Sequence, residues 1–344
     1  MSLLVQLVFW ALAFVISAAG CVVLRTFALR RSLVDIPNER SLHAVPVPRI
    51  GGVALCVAAW VSAAAALAFT RERELSVWVL LAVPVFVVGL VDDLRPVSAA
   101  VRFGLQLAVA IAFVWFVRLP SAFVLWPGYA IAVPAALAYP LAVVWIVGVV
   151  NIYNFMDGMD GIAAVQTIGA GLALAVGFSS RHQSLSFVSA SLVAAALGFF
   201  VHNAPKARIF LGDAGSTVLG FTFATFPLLG VGDGSMPLLA GPLALAPFLL
   251  DGTFTLVRRA RRREKVWQAH RTHLYQRAVA TGLTHGQVLI PYTAWTALAC
   301  VASVAVQRGT GWHALAAAAV ALAGLVVVWR WVRGREARLP KTGS

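Results

Sequence analysis

Two amides and two carboxylates, Asn151, Asn154, Asp157 and Asp160, stand at every third position of the stretch NIYNFMDGMDG. No Lys or Arg falls between positions 151 and 161 to neutralise the acids. Uncompensated carboxylates ask for a cation, and hard oxygen donors suit Mg2+ or Mn2+. On a regular α-helix, steps of three fall about 60° short of a turn, which spreads the four groups over half the circumference. Gly158 and Gly161 loosen that helix, and a tighter turn brings the groups toward one face.

Four further stretches carry reactive groups. The apolar run VPVFVVGLVDDL ends in Asp92-Asp93. Adjacent carboxylates repel unless a cation is near, although Arg95 and Arg102 at a solvated helix end would also serve. In FLGDAGSTVLGF, Asp213 stands between Gly212 and Gly215, where backbone approaches a phosphate closely and a helix N-terminus favours an anion. Asp213 and Ser216 read equally well as N-caps. The stretch DIPNERSLHAVPVPRIGG (35–52) offers Arg40, His43 and Arg49 on a backbone stiffened by three prolines. His270 and His273, separated by Arg271 and Thr272, share a helix face at i, i+3 and suit phosphate better than zinc, since no Glu stands at the metalloprotease spacing.

The elements that must position these groups are apolar. Of 344 residues, 60% are hydrophobic and 12% charged, and the mean hydropathy is +0.87. That balance suits lipid as the solvent, in which about 17–25 apolar residues cross as one helix. Eleven segments qualify, at 2–24, 51–69, 75–91, 99–117, 131–150, 162–180, 185–203, 215–230, 236–256, 287–307 and 312–330. The first lacks a basic start and is too long for a signal peptide. Cys21, Cys56 and Cys300 lie within apolar segments and read as buried small hydrophobes.

The net charge of +14 is a matter of topology and does not point to nucleic acid. With eleven crossings and the N-terminus outside, 22 of the 27 Lys and Arg fall in inner segments, leaving Arg71, Arg73, Arg118, Arg181 and Arg308 outside. Seven aspartates, Asp35, Asp92, Asp93, Asp157, Asp160, Asp213 and Asp251, lie on that inner side, and only Asp233 lies outside. A transporter tends to keep its carboxylates near the bilayer midplane. Acids gathered at helix ends on one face instead predict a site open to a water-soluble substrate and to lipid headgroups.

Taken in order, Asp35–Gly52, Asp92-Asp93, Asn151–Gly161, Phe210–Ser216 and His270–His273 resemble the motifs of the polyprenyl-phosphate N-acetylhexosamine-1-phosphate transferase superfamily (glycosyltransferase family 4). The segment count is nearer its N-acetylglucosamine branch than its muramoyl-pentapeptide branch. His270-Arg-Thr-His273 replaces a denser histidine cluster, as in the subgroup serving O-antigen and other surface polysaccharides. The resemblance implies an all-α polytopic membrane protein, one transferase domain over 1–344, with an active-site loop at 257–286 and a cytoplasmic tail at 331–344. It implies a multi-pass enzyme of the bacterial inner (cytoplasmic) membrane, working at the cytoplasmic face and leaving a homodimer open.

The implied partners are a UDP-N-acetylhexosamine, undecaprenyl phosphate and membrane lipid, with UMP released. By the same resemblance Mg2+ is held by Asp213 with Asp157 or Asp160, and Asp93 nearby. Asp92 serves as base or covalent nucleophile, two roles the residues do not separate. Asn151, Asn154, His270, Arg271 and His273 bind the donor, and Arg40, His43 and Arg49 the lipid phosphate. A CDP-alcohol phosphatidyltransferase would need Ala-Arg after Asp-Gly, whereas Gly161 is followed by Ile-Ala-Ala. A flippase for lipid-linked sugars would place charge within the apolar segments, which carry almost none.

Overall fold

The computed structural model describes residues 1–37, 42, 45–265, 270–309 and 311–339. Their elements are α1 (Leu3–Arg30), α2 (Gly51–Thr70), α3 (Arg73–Leu94), α4 (Ala99–Val117), β1 (Ala122–Trp126), β2 (Tyr129–Ala132), α5 (Ala135–Met156), α6 (Ile162–Phe178), α7 (Gln183–Asn203), α8 (Gly212–Gly232), α9 (Ala240–Ala244), α10 (Ala246–Arg261), α11 (Leu274–Ala280), α12 (His285–Arg308) and α13 (Gly311–Glu336). Among the described residues, nine of these helices are long and apolar enough to cross a membrane, and the 17-residue α6 is a shorter apolar helix. The chain is a helical, multi-pass membrane protein.

Helix α8 is the axis of the bundle. Its apolar window is wholly buried, against 17% for α1, and it packs against α2, α3 and α5. Its sequence reads as a short segment because it faces protein throughout and carries Thr, Ser and Gly where lipid would require aliphatic side chains. It runs 21 residues, about 31 Å at 1.5 Å per residue, a full crossing. Close approach to α2 depends on glycine: a Cβ on Gly52 would collide with the backbone of Gly215. This contact lies one turn from Asp213.

The segment expected at 236–256 is not one helix. It breaks at Leu245 into α9 and α10. Carbonyls freed near such a break need partners inside a membrane. Gln166 Nε2 donates to Ala244 O at 2.8 Å, and Ser303 Oγ donates to Ala240 O at 2.8 Å. The span expected to begin at 131 starts instead at Ala135. Before it, β1 and β2 form an antiparallel hairpin in which Trp126 and Tyr129 stack at 4.7 Å. The turn residues Pro127-Gly128 mark this hairpin, and Gly128 takes a positive φ of 87°. It joins the C-terminus of α4 to the N-terminus of α5, the end of the bundle opposite the acidic cluster.

Candidate active site

The motif spacing at 151–161 does not lie on one helix. Asn151 and Asn154 are on the last turns of α5, which ends at Met156, and Asp157 and Asp160 occupy the turn before α6. Glycine is the reason: Gly161 adopts φ 77° at the start of α6. Asn203 closes the turn, accepting from Gly161 N at 2.9 Å and donating to Ile209 O at 3.0 Å.

A second strut brings Arg49 in. Gly51 N donates to Phe210 O at 2.8 Å, Gly52 N to Leu211 O at 2.7 Å and Phe210 N to Pro48 O at 2.7 Å. These bonds lay the segment before α2 against the segment before α8. Gly212 then turns into α8 with φ 75°, and a Cβ there would strike Arg49 O and the Asp93 carboxylate. Gly234 has a similar φ of 72° with open space around it. Gly212→Ala is therefore expected to lower thermal stability more than Gly234→Ala. Both lose about 1–2 kcal/mol to the left-handed backbone, and only the first adds an overpacking cost of about 1–3 kcal/mol. Equal melting temperatures for the two purified variants would contradict this.

Three carboxylates and two guanidiniums meet at the N-terminus of α8. The Asp93 side chain is fully buried, and its Oδ1 and Oδ2 accept from Asp213 N at 2.8 Å and Ala214 N at 2.9 Å. It therefore caps α8, satisfying donors that a helix start leaves orphaned, in place of the Asp213 or Ser216 caps the sequence offers. Arg49 Nε bonds Asp93 Oδ1 at 3.1 Å while its Nη2 reaches Asp213 Oδ1 at 3.3 Å. Arg102 Nη1 bridges Asp92 Oδ2 at 2.7 Å and Asp213 Oδ2 at 2.8 Å. Asn154 Nδ2 donates to Asp213 Oδ1 at 3.2 Å and Ser216 Oγ at 2.8 Å. Asp92 Oδ1 accepts from Val97 N at 2.6 Å.

Beside this cluster opens a cleft of about 340 Å3, lined among others by Arg49, Asn154, Asp157, Asp160, Asp213 and His285. Burial, with Asp213 and Asp93 close by, pushes the Asp157 carboxyl well above the usual carboxylate range. Four carboxyl groups (Asp92, Asp93, Asp157, Asp213) here share two guanidiniums (Arg49, Arg102), and a further cation is what would let all four ionise together. That donor set fits Mg2+ or Mn2+ through Asp157 and Asp213, the pair facing the cleft. Among the described residues no three acidic, histidine or cysteine side chains converge in ligating geometry. Mg2+ commonly takes only one or two carboxylates and fills its other positions with water and phosphate.

The remaining expected residues divide. Asp160 lines the cleft, but its Oδ2 is engaged by His285 Nδ1 at 3.0 Å and Ala207 N at 3.0 Å. Asn151 turns to α4, donating to Gln106 Oε1 at 2.7 Å. Arg40 and His43 lie outside the described residues. His270, Arg271 and His273 do not line the cleft; Gln276 and His285 reach it from that side. Burial, with His273, Arg259 and Arg258 beside it, lowers His270 to about 4. His273 is buried with its Nδ1 3.7 Å from Asp251 Oδ1, and Arg271 is exposed.

The roles of three residues emerge only in three dimensions. Arg102, readable from sequence only as a helix-end partner, is the cross-link between Asp92 and Asp213. His285 pairs with Asp160 across 125 positions. Asp251, fully buried, accepts from Leu274 N at 2.9 Å, Tyr275 N at 3.4 Å, Thr255 Oγ1 at 3.2 Å and Tyr292 Oη at 2.5 Å. It thereby anchors α11, whose Tyr275 Oη donates to Phe155 O at 3.1 Å beside the 157–161 turn.

The buried acidic cluster at a helix end, open to a polar cleft in a helical membrane protein, defines a class that comparison with known proteins narrows. The glycosyl transferase family 4 model matches residues 75–231. The probable undecaprenyl-phosphate N-acetylglucosaminyl 1-phosphate transferase of Bacillus subtilis is 28% identical over 297 residues, covering 85% of this chain and 82% of its own. The decaprenyl-phosphate N-acetylglucosaminephosphotransferase of Mycobacterium tuberculosis is 29% identical, covering 80% and 76%. The undecaprenyl-phosphate alpha-N-acetylglucosaminyl 1-phosphate transferase of Salmonella typhimurium is 26% identical, covering 78% and 75%. These similarities support placing the chain in the polyprenyl-phosphate hexosamine-1-phosphate transferase family.

Proposed function

We propose that this protein transfers N-acetylhexosamine-1-phosphate, with N-acetylglucosamine as the first candidate sugar, from a UDP-sugar to undecaprenyl phosphate. A phosphate oxygen of the lipid attacks the β-phosphorus of the donor. The bond from that phosphorus to the bridging oxygen breaks, and UMP leaves. The observation that carries the reading is the set of three carboxylates cross-linked by Arg49 and Arg102 at the end of α8, beside the polar cleft. Phosphoryl transfer demands little covalent chemistry from a protein and much charge neutralisation and alignment.

In this reading the cleft takes the donor diphosphate, and Arg49 and Arg102 exchange part of their carboxylate contacts for phosphate oxygens. Asp157 and Asp213 would hold Mg2+, which when bound supplies positive charge against the diphosphate. Asp92 deprotonates the lipid phosphate. The site faces the cytoplasm, with the N-terminus outside, in a bacterial inner membrane. The lipid-diphospho-sugar then starts O-antigen or another surface polysaccharide.

Purified protein should release UMP from UDP-N-acetylglucosamine only when both undecaprenyl phosphate and Mg2+ are present, and chelation with EDTA should stop it. UMP release that ignores the lipid acceptor would defeat the proposal.

A further inference from the structure

A second polar site lies on the same end of the bundle, away from the cleft. Phe254 and Val257 of α10 and Leu325 of α13 form the apolar wall of a groove of about 370 Å3, and Arg258, Arg261 and Arg262 form its rim. The wall continues into lipid-facing surface: Val257 is 44% exposed and Val327 64%. Among the described residues Glu264 and Glu336 are the carboxylates that act on Arg258, and neither makes an ion pair with the rim. The nearby carboxylates are already taken, Glu264 by Arg259 at 3.0 Å and Glu336 by Arg277 at 2.6 Å. Among the described residues, no hydrogen-bond or ion-pair partner faces the side chain of Arg261 or Arg262. Arg258 donates through Nη2 to Thr272 O at 2.9 Å, yet its Nε is buried without a partner.

We propose that this groove binds the phosphate headgroup of an anionic phospholipid, with an acyl chain along Phe254, Val257 and Leu325. A buried guanidinium N–H lacking an acceptor is costly, and a phosphate oxygen supplies that acceptor in the geometry guanidinium prefers. Arginines at a membrane boundary attract acidic headgroups in any case. What marks this groove is an apolar wall beside the cationic rim. Because Arg258 also holds Thr272, a headgroup there would brace the His270–His273 segment.

The test measures binding and is independent of any transferase assay. The purified full chain is placed in nanodiscs of phosphatidylcholine with spin-labelled phosphatidylglycerol or spin-labelled phosphatidylcholine as probe. The wild type should prefer the phosphatidylglycerol probe. Arg261→Gln/Arg262→Gln should reduce that preference by about 10-fold or more, and Arg261→Lys/Arg262→Lys should largely keep it. Arg25→Gln/Arg30→Gln, which removes equal charge from exposed positions on α1, should leave it intact. Unchanged melting temperatures in phosphatidylcholine discs verify folding, and if the Gln pair unfolds, Arg261→Gln alone carries the test. The proposal is overturned if the wild type shows no preference, if the Gln pair retains it, or if the α1 pair loses it equally. It is also overturned if inorganic phosphate displaces the probe, which would make the acyl wall irrelevant. Stoichiometric displacement by undecaprenyl phosphate would make the groove an acceptor site and sink it as well.

Discussion

Asp213→Asn is expected to abolish nearly all UMP release while leaving a folded protein. The residue is where every strand of the site converges: Arg49 and Asn154 donate to Oδ1 and Arg102 to Oδ2. An amide removes the negative charge and replaces one acceptor by a donor, which must then face a guanidinium. Preorganised charge of this kind contributes about 10²–10³-fold in rate per group removed, and loss of a cation ligand adds to that. Stability should change little, because α8 is capped by Asp93 and not by Asp213. The measurement is kcat for UMP release, with the melting temperature as control. An Asp213→Asn enzyme within a few-fold of wild type would remove Asp213 from the machinery. Asp160→Asn should be milder, since its described partners are His285 Nδ1 and Ala207 N, away from the guanidiniums.

Asp251→Asn should show the opposite balance, with stability lost first. Asp251 is 0% exposed and gathers two backbone amides, two hydroxyls and the neighbourhood of His273 around one carboxylate. An amide cannot accept on both sides, so at least one buried donor among Leu274 N, Tyr275 N and Tyr292 Oη is stranded. Each stranded donor costs about 1–3 kcal/mol, and a total of about 2–4 kcal/mol is expected from one or two of them. The consequence for function is indirect: α11 loosens, and Gln276 on the cleft wall loosens with it. The melting temperature should therefore fall by several degrees, and KM for the UDP-sugar should rise more than kcat falls. A variant with the wild-type melting temperature would show that Asp251 does not anchor this segment.

Chain order and composition foretold the architecture because crossing a membrane is a local demand. About twenty apolar residues in a row suffice, wherever their partners lie. Helices α2, α4 and α7 accordingly fall within a residue or two of the segments expected at 51–69, 99–117 and 185–203. The hairpin at 122–132 escaped because two short strands hold no lipid-length run. The break at Leu245 escaped because what tolerates it is Gln166 and Ser303, residues from two other helices.

The site divides along the same line. Clustering of Asp92, Asp93, Asp157 and Asp213 at helix ends on one face was legible, since charge cannot lie deep in lipid and must gather at the rim. The roles within the cluster were not legible. Asp92 and Asp93 are neighbours of identical type, yet Asp93 caps α8 while Asp92 meets Arg102, because successive residues on a helix point about 100° apart and only the packing of α3 on α8 says which one faces in. Sequence shows the basicity of His270 and His273 and hides that His273 is buried beside Asp251. Sequence alone determined a membrane bundle with acidic residues gathered at one rim. Tertiary structure alone decided which oxygen meets which cation, since the contacts of Asp213 with Arg49 and Arg102 join residues more than a hundred positions apart and depend on backbones meeting at Gly52 and Gly215.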